Sequence, residues 1–122
     1  LRTEIETAQH MLAALAGRAP RFFRAPFGMR SPLLDPVLAR LGLRLVSWSR
    51  RGYDTTDPDA TRVLGRLVKG LAAGDILVLH DGHATGRRRE APTVLQALPD
   101  LLARVRDAGL QPVTLAAACD AP

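Results

Sequence analysis

A histidine that directly follows a short apolar segment is the residue of this chain best suited to acid–base chemistry. His80 comes after Ile76–Leu79, and Asp81 and Gly82 then form a turn. Four apolar residues between polar ones are typical of a strand buried in a parallel sheet, and ligands bind at the carboxyl ends of such strands. Because an imidazole titrates near neutral pH, His80 could act as a general acid or base, and a packing role is the alternative.

A second segment whose residues could take part in a reaction is the turn formed by residues 24–28. The guanidinium of Arg24 could hold a carboxylate in place. Pro26 fixes its own φ and favours an extended Ala25, while Gly28 permits a sharp exit from the turn. Such a rigid turn could aim a backbone N–H at a developing oxyanion, and an ordinary turn with a surface arginine is the alternative.

A third polar segment, residues 49–55, follows the apolar residues that end at Trp48. Its polar candidates are Asp54 and the arginines Arg50 and Arg51, and Trp48 could form one wall of a substrate pocket. The alternative is a long basic loop beside a half-buried tryptophan.

The elements that must position these residues recur as an amphipathic helix, a glycine and a short apolar strand. Apolar residues at helical spacing predict four helices: Leu1–Ala16, Leu33–Leu41, Ala60–Ala73 and Pro92–Ala108. Glycines that can end these helices follow them: Gly17, Gly42, Gly74 and Gly109. Asp57 or Asp59 is predicted to cap the third helix. The predicted strands are Arg21–Phe23, Arg44–Trp48, Ile76–Leu79 and Pro112–Leu115. This alternation predicts a parallel sheet with functional residues on the loops after its strands.

Composition excludes several classes of protein. The 122 residues suit one domain, and no apolar run approaches the roughly 20 residues that a membrane span requires. The net charge of +5 comes almost entirely from arginines, and the two arginine clusters, Arg50-Arg51 and Arg87–Arg89, lack interleaved aromatic residues, so nucleic acid is not an expected partner. A single cysteine, Cys119, excludes an internal disulfide. Neither a signal segment nor a membrane span is recognised, and both cytoplasm and cell envelope remain open as locations.

Two motifs in this order and spacing resemble a known family. Phe23–Gly28, followed some fifty residues later by Asp75–Gly82, is similar to the NodB-homology polysaccharide deacetylases, carbohydrate esterase family four. The resemblance extends over essentially the whole chain. It implies an α/β fold that is part of a distorted (β/α) barrel, with about four parallel strands each preceded by a helix. Residues 1–122 would then be the C-terminal part of a deacetylase domain, whose N-terminal half is expected upstream of Leu1.

The resemblance also implies roles for individual residues. Arg24 would tether the catalytic-base aspartate, the backbone N–H of Phe27 would donate to the tetrahedral oxyanion, and His80 would protonate the departing amine. The residues expected to line the substrate pocket are Pro26, Trp48, Asp54 and Val78. The substrate would be an acetylated polysaccharide or oligosaccharide that loses N- or O-acetyl groups.

The chain departs from the family pattern in two places. Arg51 stands where the first aspartate of one motif would be, so either Asp54 or another residue must orient His80. The Asp-Asp and His-x-x-x-His motifs, which carry the base and the metal ligands, do not occur in the chain. We therefore expect the parent protein to use a divalent metal, zinc, and this chain alone to bind none and to be inactive. The alternatives are a non-catalytic carbohydrate-binding or scaffold domain that retains the fold, and an unrelated α/β domain.

Overall fold

The computed structural model describes residues 1–82 and 91–120, within two compact units that span residues 1–47 and 48–122. His83, which the sequence suggests is an exposed loop residue, and the Arg87–Arg89 cluster lie outside the described residues. No helix in the described ranges is long and apolar enough to cross a membrane.

The first unit alternates helices with short strands. Helix α1 is Arg2–Ala16, strand β1 is Phe22–Phe23, helix α2 is Leu34–Arg40 and strand β2 is Arg44–Leu45. A single turn of 3-10 helix, Pro26–Gly28, follows β1. Strands β1 and β2 pair in parallel, with Phe22 opposite Arg44 and Phe23 opposite Leu45. The buried core that α1 and α2 form with the strands consists of Ile5, Ala25, Leu34, Leu38 and Leu43.

The second unit contains two strands and three helices. In chain order they are strand β3 (Arg50–Arg51), helix α3 (Ala60–Val68), strand β4 (Leu77–Val78), helix α4 (Thr93–Asp107) and helix α5 (Leu115–Asp120). Strands β3 and β4 pair in parallel, with Arg50 opposite Leu77 and Arg51 opposite Val78. Helix α3 packs on α4 around the buried residues Val63, Leu67, Ala97, Leu101 and Val105. Val63 and Leu67 are completely buried, so this helix pair is the centre of the unit.

The four predicted helices are all present; three of them differ from the prediction by at most one residue at each end, and α3 ends earlier than predicted. Asp59, and not Asp57, caps α3, because its carboxylate accepts the backbone N–H groups of Thr61 and Arg62. Helix α3 ends at Val68, five residues before the predicted end at Ala73, because Gly70 already adopts a left-handed φ of 67°.

The predicted strands need three corrections. Residues 112–114 form no strand, and Leu115 begins helix α5. The strand predicted over Arg44–Trp48 ends at Leu45, and the segment interpreted as a basic loop contains strand β3. Strand β3 follows β2 with no helix between them, so not every strand is preceded by a helix. The parallel α/β character that the sequence predicts is confirmed by both strand pairs.

Candidate active site

The pairing of β3 with β4 brings Asp54 and His80 together. Asp54 follows β3 by three residues and His80 follows β4 by two, and the carboxyl ends of parallel strands lie at the same edge of a sheet. The Asp54 Oδ1 atom lies 3.0 Å from the His80 Nδ1 atom. The backbone N–H of His80 donates to Asp54 Oδ2 at 2.6 Å. Both carboxylate oxygens therefore bind the same residue, one through its ring and one through its backbone.

The two side chains differ sharply in exposure. The Asp54 side chain is only 1% exposed, whereas that of His80 is 41% exposed. A buried carboxylate is costly unless it is hydrogen-bonded, and His80 provides those bonds. Because an ionised carboxylate only accepts hydrogen bonds, Nδ1 of His80 must carry the hydrogen that they share. This leaves Nε2 as the ring nitrogen that can exchange a proton with a substrate.

The loop between β3 and α3 presents Asp54 in a fixed conformation. Tyr53 adopts a positive φ of 62°, and its carbonyl oxygen accepts the backbone N–H groups of Thr56 and Asp57 at 3.1 and 2.9 Å. Gly52 is buried against α3, where a Cβ atom would lie 2.8 Å from Val63 Cγ1. Only a residue without a side chain allows the loop to approach the helix this closely.

A second carboxylate lies at the other end of the same strand pair. Asp75 accepts the Ser49 hydroxyl at 2.7 Å, the Arg50 guanidinium and the backbone N–H of Ala72 at 2.9 Å. These bonds, that from Ser49 first and that from Arg50 next, lower the pKa of Asp75 to about 2. Asp75 therefore fixes the amino ends of β3 and β4, as Asp54 links their carboxyl ends.

Sequence reasoning considered Asp57 only as a helix cap, and the structure gives it more contacts. Its carboxylate accepts hydrogen bonds from Arg62 and Arg66, each at 2.8 Å, and from the backbone N–H of Asp59 at 3.0 Å. The bonds from Arg62, from the Asp59 backbone and from Arg66 hold the pKa of Asp57 well below its usual range. The signal in the sequence was an aspartate followed by arginines that share one face of α3. A shallow depression of about 440 Å³ lies over this group, lined by Tyr53, Thr56, Asp57, Pro58, Arg62 and Arg66.

The predicted turn after β1 is present in the first unit. Ala25 is extended, with φ −65° and ψ 131°, and Phe27 adopts a positive φ of 56°. A positive φ is uncommon for a residue other than glycine and is found in tight turns and at ligand sites. The Phe27 side chain is 80% exposed, and Pro26 is also exposed. Arg24 donates to the carbonyl oxygens of Val46 at 3.4 Å and Ser47 at 3.3 Å, within the same unit.

The remaining predicted residues lie in the second unit. Val78 is buried in β4, and Trp48 is half-buried just before β3. Arg51, the residue at the position of the family's aspartate, contacts aromatic rings: its guanidinium carbon is 4.5 Å from the Tyr53 ring centroid and 5.9 Å from that of Trp48. Arg51 thus stacks in a cation–π arrangement, and Asp54 is the carboxylate that contacts His80.

The structure also tests whether these residues could form a metal centre. In the described parts of the chain, no group of three or more histidine, cysteine, aspartate and glutamate side chains is placed to hold a metal ion. The donor set that the resemblance implies is therefore not provided by residues 1–82 and 91–120.

Comparisons with known proteins agree with the motif resemblance. No protein-family model matches the chain. A chitooligosaccharide deacetylase of Azorhizobium caulinodans is 36% identical over 80 residues, which are 65% of this chain and 38% of that protein. A chitooligosaccharide deacetylase of Bradyrhizobium is 31% identical over 87 residues, which are 70% of this chain and 40% of that protein. The chain thus spans about two fifths of the curated relatives that it matches.

Solved structures show the same relationship at the level of the fold. A family 4 carbohydrate esterase from Streptomyces lividans superposes with a TM-score of 0.80 at 24% identity, over 93% of this chain and 55% of that one. A family 4 pseudoenzyme from Bacillus anthracis gives a TM-score of 0.75 at 17% identity, over 90% of this chain and 36% of that one. These similarities confirm the predicted relation to part of a (β/α) barrel. Sequence and fold together confirm the resemblance of this chain to part of a NodB-homology polysaccharide deacetylase domain of carbohydrate esterase family four.

Proposed function

We propose that this chain supplies part of the active site of a carbohydrate deacetylase, with His80 as the general acid and Asp54 as the residue that orients it. The observation that carries the proposal is the double contact between them, at 3.0 Å to the ring and 2.6 Å to the backbone. The contact supports Asp54, in place of the missing motif aspartate, as the residue that orients His80.

The chemistry of deacetylation explains why such a pair is useful. Attack of water on the acetyl carbonyl gives a tetrahedral species, and its collapse breaks the bond between carbon and nitrogen. The departing amine must then gain a proton, which an imidazolium can donate from Nε2. A positioned acid of this kind contributes about 10²–10⁴ in rate. Asp54 holds the ring in place for this donation, because its buried carboxylate contacts Nδ1 and leaves Nε2 as the nitrogen that can exchange a proton.

The first unit would contribute the other roles that the resemblance implies. We propose that Arg24 tethers the catalytic-base aspartate and that the backbone N–H of Phe27 donates to the oxyanion. The tight turn at Pro26 and the positive φ of Phe27 support this role, since they fix the direction of the backbone there. Val78, Trp48 and Asp54 would contribute to the substrate pocket. The base and the ligands of the expected zinc ion would have to come from residues other than the described ones.

The decisive experiment compares variants in the longest natural protein that contains this chain. Deacetylation of a chitooligosaccharide is measured for His80→Gln and Asp54→Asn across a range of pH. We expect His80→Gln to lower kcat by about 10²–10⁴. Asp54→Asn should lower it by about 10–100-fold, the value of one hydrogen bond to a charged group. A His80→Gln variant within threefold of the unchanged protein would contradict the assignment.

The isolated chain of 122 residues is the matched control. We expect it to show no deacetylation and no stoichiometric zinc, because the Asp-Asp and His-x-x-x-His motifs that would supply the base and the metal ligands do not occur in its sequence. Turnover of chitooligosaccharide by the isolated chain, or one bound zinc per chain, would show that this division of the site is wrong.

A second candidate function is a non-catalytic carbohydrate-binding or scaffold domain. Two observations favour it: Arg51 at the position of the motif aspartate, and a fold shared with a protein described as a pseudoenzyme. The same experiment separates the two candidates. A scaffold would bind the oligosaccharide without turnover, and its binding would not change in His80→Gln.

A further inference from the structure

The loop that carries Asp54, residues 52–57, is held together at its two ends by Arg66 and Asp57, and we call these two residues the clamp. The Arg66 Nη1 atom donates to the carbonyl oxygen of Gly52 at 3.0 Å and to Asp57 Oδ2 at 2.8 Å. Gly52 and Asp57 lie on either side of Asp54 in sequence, so one nitrogen atom links the two ends of the loop. The loop that presents Asp54 is therefore held as a closed ring.

The clamp is anchored on two helices of the second unit, α3 and α4. Arg66 belongs to α3, and the backbone carbonyl of Asp57 accepts the Thr93 hydroxyl of α4 at 3.1 Å. Thr93 is 2% exposed, and the Asp57 side chain is 12% exposed. These contacts join the loop to the packed helix pair, whose core residues are buried.

We propose that Asp57 and Arg66 are positioning residues for the contact between Asp54 and His80. This inference rests on the proposed function, in which that contact orients a general acid. Both hydrogen bonds from His80 converge on one buried carboxylate, and functional groups must be held within about 0.5 Å of their working geometry. The Asp54 side chain reaches that geometry only if Gly52–Asp57 keeps its closed shape.

A neighbouring arginine provides a matched control. Arg62 also lies on α3 and also donates to Asp57 at 2.8 Å. Its guanidinium also pairs with Asp59 at 3.0 Å, and within the described part of the chain it makes no hydrogen bond with Gly52. Replacing Arg62 removes a positive charge from Asp57 but leaves the loop closed, whereas replacing Arg66 opens it. A purely electrostatic or stabilising role for the arginines would make the two replacements equivalent.

The test measures the hydrogen position on His80 directly. The ring-nitrogen chemical shifts of the longest natural protein that contains this chain are recorded with ¹⁵N-labelled histidine at a pH above 8, where imidazoles are usually neutral. The His80 signals are assigned with His80→Gln. In the unchanged chain we expect the Nδ1–H form, because Asp54 accepts that hydrogen.

In Arg66→Met we expect the ratio of the Nδ1–H to the Nε2–H form to fall by about tenfold, the effect of losing one hydrogen bond to a charged group. Arg62→Met should keep the ratio within twofold of the unchanged chain. Arg66→Lys should restore it, because a single nitrogen makes both clamp contacts and an ammonium can replace it. Equal ratios in Arg66→Met and Arg62→Met would overturn the proposal.

Two further measurements keep the test decisive. If Arg66→Met does not fold, Asp57→Asn replaces it: a lowered ratio supports the clamp, and an unchanged ratio overturns it. In the longest natural protein, Arg66→Met should lower kcat about tenfold with little change in KM. If Arg66→Met changes the tautomer ratio while His80→Gln remains fully active, the proposed function is wrong, but Asp57 and Arg66 still position the contact between Asp54 and His80. If the ratio does not change while His80→Gln is inactive, the positioning role of Asp57 and Arg66 is wrong, but the proposed function stands.

Discussion

Gly52→Ala is the substitution whose cost the structure defines most directly. Gly52 is buried, and its φ is not in the left-handed region, so alanine meets no backbone penalty there. The added Cβ would lie 2.8 Å from Val63 Cγ1 and 3.2 Å from the Cγ and Cδ1 atoms of Leu67. Carbon atoms prefer a separation of about 3.5–4.0 Å, so the overlap with Val63 is about 0.7–1.2 Å.

The size of the effect follows from how little the neighbours can move. Val63 and Leu67 are completely buried between α3 and α4, and protein interiors contain few voids that could absorb a displaced methyl group. Overpacking of this kind costs about 1–3 kcal/mol. With a urea m value of about 2 kcal/mol per M, a loss of 2 kcal/mol lowers the unfolding midpoint by about 1 M.

The assay is equilibrium unfolding in urea, and Gly65→Ala is the matched control. Gly65 lies within α3, and no atom is within 4 Å of a Cβ built there. Alanine should therefore stabilise the helix at that position by about 1 kcal/mol. A Gly52→Ala midpoint equal to or above that of the unchanged chain would refute the reasoning. In the double variant Gly52→Ala/Val63→Ala the losses should be less than additive, because the second change removes the overlapping methyl group.

Three further predictions concern stability and are checked by the same urea unfolding. Leu67→Ala should cost about 2–5 kcal/mol because that side chain is fully buried, whereas Leu95→Ala, 61% exposed, should stay within about 0.5 kcal/mol. Asp59→Ala should cost about 0.5–2 kcal/mol and reduce helical circular dichroism, whereas Asp59→Asn, which can still cap α3, should lose much less. Hydrogen bonds, first among them that from Ser49, lower the pKa of Asp75 to about 2, below an unfolded value of about 3.9. Its stabilising contribution should therefore be complete above about pH 5 and disappear as the pH falls towards 2, and Asp75→Asn should flatten that dependence; an equal acid slope in the variant would contradict this.

The helices could be predicted because their signals are local. Apolar residues at helical spacing and a following glycine are properties of neighbouring residues, and Gly17, Gly42 and Gly109 adopt the left-handed conformation that ends a helix. The one large error at a helix end, that of α3, arose because Lys69 and Gly70 already stop the helix while the prediction used Gly74.

The strands were harder to predict because each is only two residues long. Arg50-Arg51 reads as a solvated loop, but in β3 Arg50 binds Asp75 and Arg51 packs on Tyr53, so both charges are accommodated. The prediction of a strand at residues 112–115 was wrong because Thr114 caps helix α5, where its hydroxyl accepts the backbone N–H of Ala117. The run of alanines after Leu115 is the local signal that was missed, since alanine is the best helix former.

The residues of the candidate site could be predicted from the sequence, but the contact between them could not. His80 and Asp54 could each be singled out by their position after an apolar segment. Their contact could not be predicted, because it joins residues 26 apart and depends on the pairing of β3 with β4. The clamp was missed for a similar reason, since the carbonyl of Gly52 has no signature in the sequence.

The shortness of the β3–β4 ladder has a consequence for how His80 keeps its place. A two-residue ladder specifies its alignment weakly, and a slip of one residue would turn every side chain to the opposite face. Asp75, five residues before His80, fixes the alignment from the far end of the strand. Substitutions near Asp75 can therefore misdirect the histidine from about 16 Å away while leaving its own neighbours unaltered. Sequence changes at that distant end should be tolerated only when they preserve the alignment of the two strands.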